Sequence, residues 1–145
     1  MEIRASVSNA AGQHQATVST NGTARSLSIP PKPTGQGSSV NGGELLCLAL
    51  ATCYCNDLFR EAARENVAIQ GIEVEVEAQF GGVGEPARKI RYRATIVADA
   101  LEDEVRRLAE RTDRVAEVHN TLRLGMPVEL ESIVIRPATA LPSPG

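Results

Sequence analysis

The chain has no tryptophan, two tyrosines and two phenylalanines among 145 residues. With so few flat rings, base stacking, the usual sequence-tolerant grip on single-stranded nucleic acid, has little to work with. A basic excess is missing too. The net charge is -3, and basic residues lie among acids at "RKIRYR" and "EDEVRRLAER", so no phosphate-binding stripe forms and no nucleic-acid partner is expected. No apolar run approaches the roughly 20 residues that span a bilayer, so no membrane partner is expected either. The opening "MEIRASVSNA" lacks the apolar core of a secretory signal, which makes the cytoplasm the expected location. Only three cysteines are present. That odd number makes a poor disulfide framework, and they read as free thiols in a reducing compartment.

What is present is patterned. Ile3, Ala5 and Val7 alternate with Arg4, Ser6 and Ser8, the period of a strand. "NAAGQHQ" turns the chain into "QATVST", and the Asn-Gly at 21–22 turns it again into "ARSLSI". "PPKPTGQGSSVNGG" reads as a long surface loop; it lacks the Lys-Ser/Thr of a phosphate-binding loop. Asn41 and Glu44 have the spacing of a capping box, so a helix is expected to start there. Residues 45–55 are apolar nearly all round, which requires cover on every side, from a sheet and from a second subunit. "IEVEVEAQF" and "IRYRATIVA" are expected to form a hairpin, Ile72, Val74, Val76 and Ala78 facing inward opposite Ile90, Tyr92, Ala94 and Ile96. Its outer acidic and basic rows should pair across strands. Asp99 is expected to cap a helix with Leu101, Val105, Leu108 and Ala109 inward. "RVAEVHNTLRLG" follows as another helix with Val115, Val118 and Leu122 inward. A last strand, "PVELESIVIR", closes the domain. Strands and helices in blocks indicate an α+β fold with mostly antiparallel sheets around a long buried central helix. One domain over residues 1–136 and a frayed tail at 137–145 complete the expectation.

All three cysteines fall in "ELLCLALATCYCNDLF". On one helix, Cys53 and Cys55 point roughly 200° apart and share no metal. Cys47 and Cys53 are separated by a rise of about 9 Å, beyond disulfide reach. Each thiol therefore acts alone or with a partner from elsewhere in the fold. Cys47 and Cys55 read as core residues. Cys53 sits where the helix turns amphipathic, buried yet reachable. Asp57, four residues on, disfavours a thiolate there, and Arg60, a turn further, could offset it.

"NGGELLCLALATCYCNDL" resembles the central-helix signature of the osmotically inducible protein C and organic hydroperoxide resistance (OsmC/Ohr) superfamily, and "VHNTLRLGMPVEL" is similar to its second-helix segment. The resemblance implies an intertwined homodimer with active sites at the interface. It also implies a hydroperoxide substrate, organic given the apolar surroundings, and no cofactor or metal. Cys53 matches the peroxidatic cysteine, whose thiolate attacks peroxide and becomes a sulfenic acid. Three departures stand out. Gly43 lies where the family has its Glu, Ala116 where it has its second cysteine, and the turn after the first strand carries no Arg. The resemblance thus implies resolution by an external thiol reductant. Two alternatives remain open: a catalytically degenerate protein binding a small apolar ligand at the dimer interface, and a structural domain in which every thiol is core. His14 reads as a solvated turn residue. His119 reads as a structural side chain, with the option of serving as a base for Cys53.

Overall fold

The structure, a computed structural model, describes residues 1–138. Apart from Pro137 and Ala138, the expected tail lies outside the described residues. The chain divides into two compact units, residues 42–128 forming one and the flanking segments the other.

In the flanking unit, β1 (Ile3–Ala10), β2 (Gln13–Thr20) and β3 (Thr23–Leu27) form an antiparallel sheet in the order β1-β2-β3. Both hairpins turn on a pair of left-handed residues, Ala11-Gly12 and Asn21-Gly22. That geometry matches strand twist, and it is why Asn-Gly signals a hairpin. The register sets Val7 against Ala16 and Ala16 against Leu27, with Ala5 against Val18. One apolar row thus runs across the three strands as the alternation requires, but Ile3, Val7 and Leu27 are exposed in this single chain and only Ala16 is buried. His14 lies on β2 rather than in a turn, half-buried opposite Asn9, whose Nδ2 is 3.4 Å from its Nδ1. The loop after β3 is ordered by a Pro31–Ser38 bridge, and Asn9 Nδ2 donates to the Gly37 carbonyl at 3.3 Å.

The expected strand at 127–136 is not formed. These residues pair with no strand of the described chain, and Val128, Leu130, Ile133, Val134 and Ile135 are exposed. The alternation encodes a face that needs cover, but a ladder also needs an edge to pair with. Within one chain that edge is not supplied.

The central unit comprises α1 (Gly42–Glu65), β4 (Ile69–Phe80), β5 (Ala87–Ala98), α2 (Glu102–Val115) and α3 (Glu117–Arg123). The start of α1 falls where the Asn41 and Glu44 spacing put it. Asn66, left-handed at its end, lets the Val67 N–H close on the Ala62 carbonyl at 2.9 Å. β4 and β5 pair antiparallel with Glu75 opposite Arg93 and Glu77 opposite Arg91. Arg93 Nε reaches Glu75 at 2.5 Å and Arg91 reaches Glu77 at 3.3 Å. Such exposed pairs contribute a few tenths of a kcal/mol each, roughly, and fix register more than stability.

The core is Leu58, Ala62, Val67 and Leu108, flanked by Ile69, Ile72, Ile96, Ala100, Val105 and Ala109. α1 contributes one face of it, with Leu50, Tyr54, Leu58 and Ala62 recurring every four residues. On another face Leu48, Thr52 and Phe59 stay exposed. The expectation of cover on every side is therefore only half met within this chain.

The N-cap of α2 is Leu101, itself exposed, not Asp99, whose N–H instead bonds the Ala68 carbonyl at the end of the hairpin. Val105, Leu108 and Ala109 face inward as expected. Ala116, extended at φ -70° and ψ 109°, breaks the run between α2 and α3. The break resets the helical phase, so the buried residues after it are Ala116 and His119, while Val115 and Leu122 are exposed. Among the described residues no helix is long and apolar enough to cross a membrane.

Candidate functional site

Cys53 lies midway along α1, its side chain half-buried, as the change from apolar to amphipathic pattern suggests. Residues four apart on a helix share a face, and the thiol donates to Asp57 Oδ2 at 3.5 Å. The break at Ala116 brings the first turn of α3 against this face. There the Val118 N–H donates to the sulfur. The sulfur and one carboxylate oxygen each of Asp57 and Glu117 all lie within 4.8 Å of one another.

Arg60 organises the carboxylates rather than the thiol. Its Nη1 reaches Asp57 Oδ1 at 2.8 Å and Glu117 Oε1 at 3.7 Å, and its Nε reaches Glu61 at 2.9 Å. The expected offset of Asp57 by Arg60 therefore acts on the carboxylate and not directly on the sulfur. Burial pushes the Cys53 thiol up from its ordinary range; the Val118 N–H pulls it down, and the charge and acceptor of Asp57 and the charge of Glu117 raise it again. Asp57, almost fully buried, is likewise pushed up by burial and by Glu117, against the pull of Arg60. The resting sulfur therefore carries its proton.

One sulfur and two carboxylates at this spacing could bridge a cation, but the Arg60 guanidinium already supplies positive charge there. Cys47 and Cys55, also on α1, are free thiols outside the cluster. Glu117 and the Val118 N–H were missed by the sequence reading. Their signal was their place just after Ala116, the position matched to the second cysteine.

His119 makes no hydrogen bond to Cys53. Its ring is buried, with centroids 4.8 Å from Tyr92 and 6.2 Å from Tyr54. Both ring nitrogens lack a hydrogen-bond partner among the described residues. Burial, and then Arg123, press its pKa below the ordinary imidazole value, with Asp113 opposing. Beside it Tyr92 donates to Asp113, which also accepts from Arg123 at 2.7 Å, and the Tyr54 hydroxyl donates to the Ala109 carbonyl at 2.9 Å. Tyr54, Tyr92 and Asp113 border a groove of about 740 Å³ between β5 and α2, lined also by Ala94, Ile96 and Val105 and not by Cys53 or His119.

The family model of the OsmC-like protein matches residues 35–131, which include α1, Cys53 and the Ala116 break. A comparison with curated proteins returns no match. Among solved structures, an OsmC-like protein from Mycoplasma pneumoniae is 19% identical. The match covers 84% of this chain and 86% of that one, with a TM-score of 0.61. An organic hydroperoxide resistance protein from Elizabethkingia anophelis is 15% identical over 86% of this chain and 90% of that one, TM-score 0.59. Another, from Legionella pneumophila, is also 15% identical, over 85% and 90%, TM-score 0.55. At these identities the likeness is one of fold, and it agrees with the α+β architecture of antiparallel sheets and three helices. The family match covers more than half of the chain, and the chain belongs to the OsmC-like family.

Proposed function

We propose that the protein reduces hydroperoxides through Cys53, in an oxidative-stress role. The observation that carries this is a half-buried sulfur held between a carboxylate acceptor and a backbone N–H, on the helix that the family model covers. Two structural neighbours are named organic hydroperoxide resistance proteins, which supports the same substrate class. The sulfur attacks the terminal peroxide oxygen, the O–O bond breaks, and the products are a Cys53 sulfenic acid and an alcohol. The Val118 N–H faces the sulfur and favours negative charge as it builds there. Ala116 carries no thiol, so an external thiol condenses with the sulfenic acid, releasing water. A second external thiol then frees Cys53. No cofactor or metal takes part.

The exposed stripe Leu48, Thr52 and Phe59, with the unpaired apolar segment 127–136, supports a homodimer in which partner subunits cover these faces. Residues 1–136 act in this reading as one domain, in the cytoplasm.

The direct test is stoichiometric consumption of cumene hydroperoxide by the native protein and by Cys53→Ser, with and without a small thiol. The native protein should consume about one equivalent alone and turn over with the thiol. A Ser variant that consumes peroxide as fast as the native protein rules the mechanism out.

One observation favours a second reading. Burial, and then two carboxylates, raise the Cys53 thiol above its ordinary range, which suits a protein that kept the fold for binding a small apolar ligand after losing catalysis. Mass spectrometry after mild peroxide treatment separates the two, since an unmodified Cys53 favours binding.

A further inference from the structure

We propose that Asp57 is the catalytic acid–base of this site, taking the Cys53 proton and passing it to the departing alkoxide, with Glu117 and Arg60 as its positioning residues. The inference rests on the peroxide reading above and supplies the proton route that reading lacks.

The route is needed on chemical grounds. A thiol is a poor nucleophile until its proton leaves, and an alkoxide is a poor leaving group until a proton arrives. A standing thiolate would solve the first problem only. Here the sulfur points its proton at Asp57 Oδ2, 3.5 Å away. Asp57 is buried among groups of both signs. Arg60 Nη1 holds its other oxygen at 2.8 Å, so Oδ1 is occupied and Oδ2 is the oxygen left to face the sulfur. Glu117, from the first turn of α3, brings a second carboxylate within 4.8 Å of both sulfur and Asp57. Two carboxylates this close resist ionising together, so the pair holds a shared proton readily. Arg60 keeps that tendency in check, bonded to Asp57 and Glu61 and near Glu117. The charged groups that act most on the sulfur come from α1 and α3: Asp57 from the first, Glu117 from the second.

The step balances. Sulfur attacks the hydroxyl oxygen of ROOH, an S–O bond forms and the O–O bond breaks. The thiol proton moves to Asp57 Oδ2, and Asp57 then protonates RO⁻ to ROH. Sulfur is oxidised to the sulfenic acid, the peroxide is reduced, and the carboxylate returns to its starting state.

Two reactions of Cys53 in the full chain test this, each followed from about pH 6 to about pH 9 in single turnover: oxidation by cumene hydroperoxide and alkylation by iodoacetamide. Iodide leaves without a proton and an alkoxide does not. Asp57→Asn removes the charge and the basicity; with its one oxygen held by Arg60, its amide N–H is left to face the sulfur. Its alkylation at neutral pH should become several-fold faster, because the nearer carboxylate no longer opposes the thiolate. Its peroxide oxidation should become about 100-fold slower, the usual weight of a positioned acid–base group. Glu117→Gln, on an exposed side chain, should move both rates the same way by smaller factors and shift the pH profile of oxidation. Asp57→Asn oxidising at the native rate or faster overturns the proposal. So does a variant slowed in both reactions alongside a Glu117→Gln profile identical to the native one. A native protein that reacts no faster with peroxide than Cys53→Ser does overturns the peroxide reading itself, so the two failures are told apart.

Discussion

Cys53 and Asp57 stand one turn apart on α1, and the thiol points at the carboxylate oxygen 3.5 Å away. The contact raises the thiol and lowers the carboxylate, the reverse of a site built around a resting thiolate.

It follows that Cys53 titrates high. pH-dependent alkylation of the folded protein should place its apparent pKa above the free-thiol value of ~8.5, the direction set by burial and then by Asp57 and Glu117 against the Val118 N–H. A value near or below that of free cysteine would show the Val118 N–H outweighing both carboxylates.

Ala116 is buried two residues before the N–H that meets Cys53. Ala116→Cys should therefore supply a resolving thiol. After one equivalent of hydroperoxide the variant should form an internal disulfide, seen as the loss of two thiols and a cross-linked peptide. Added small thiol should no longer be needed to consume the sulfenic acid. A persistent sulfenic acid in this variant would place residue 116 out of reach of the sulfur.

Leu48 is 61% exposed on a helix whose neighbouring residues are apolar. If a partner subunit covers it, Leu48→Lys buries an unpaired charge there and should cost several kcal/mol, roughly, of association free energy. Light scattering after size exclusion should then show a concentration-dependent shift from dimer toward monomer. Unchanged elution of the variant as a dimer would move the interface elsewhere.

His119 sets a pH dependence of stability. Its folded pKa lies below the unfolded one, so at mildly acidic pH the unfolded chain binds more protons than the folded chain. The contribution is fully present above the unfolded value of ~6.5 and is lost as pH falls below it. Urea midpoints should therefore drop between about pH 7 and about pH 5, and part of that slope should vanish in His119→Phe. The Phe variant removes two buried nitrogens without partners, so at neutral pH it should be as stable as the native protein or about 1 kcal/mol more stable. A large loss of stability would reveal a partner for that ring.

The hairpins were legible because Asn21-Gly22 and the alternation of Glu75 and Glu77 with Val74 and Val76 encode local geometry and a two-residue period. α1 was legible from its apolar length and its start at Asn41. Two of the misreadings share one cause. The 127–136 segment has the pattern of a strand but no edge to join, and the break at Ala116 shifted the inward positions to Ala116 and His119. Both depend on what lies beside the chain, which periodicity does not encode.

By itself the sequence determined the hairpins, the long central helix, the position of the thiol in mid-helix and, through four-residue spacing, its pairing with Asp57. Only the tertiary structure decided that α3 delivers Glu117 and the Val118 N–H to that sulfur, and that Arg60 serves the carboxylates. Helical spacing is fixed within an element. Which residues of two elements meet depends on packing angles and chain breaks set by the whole core.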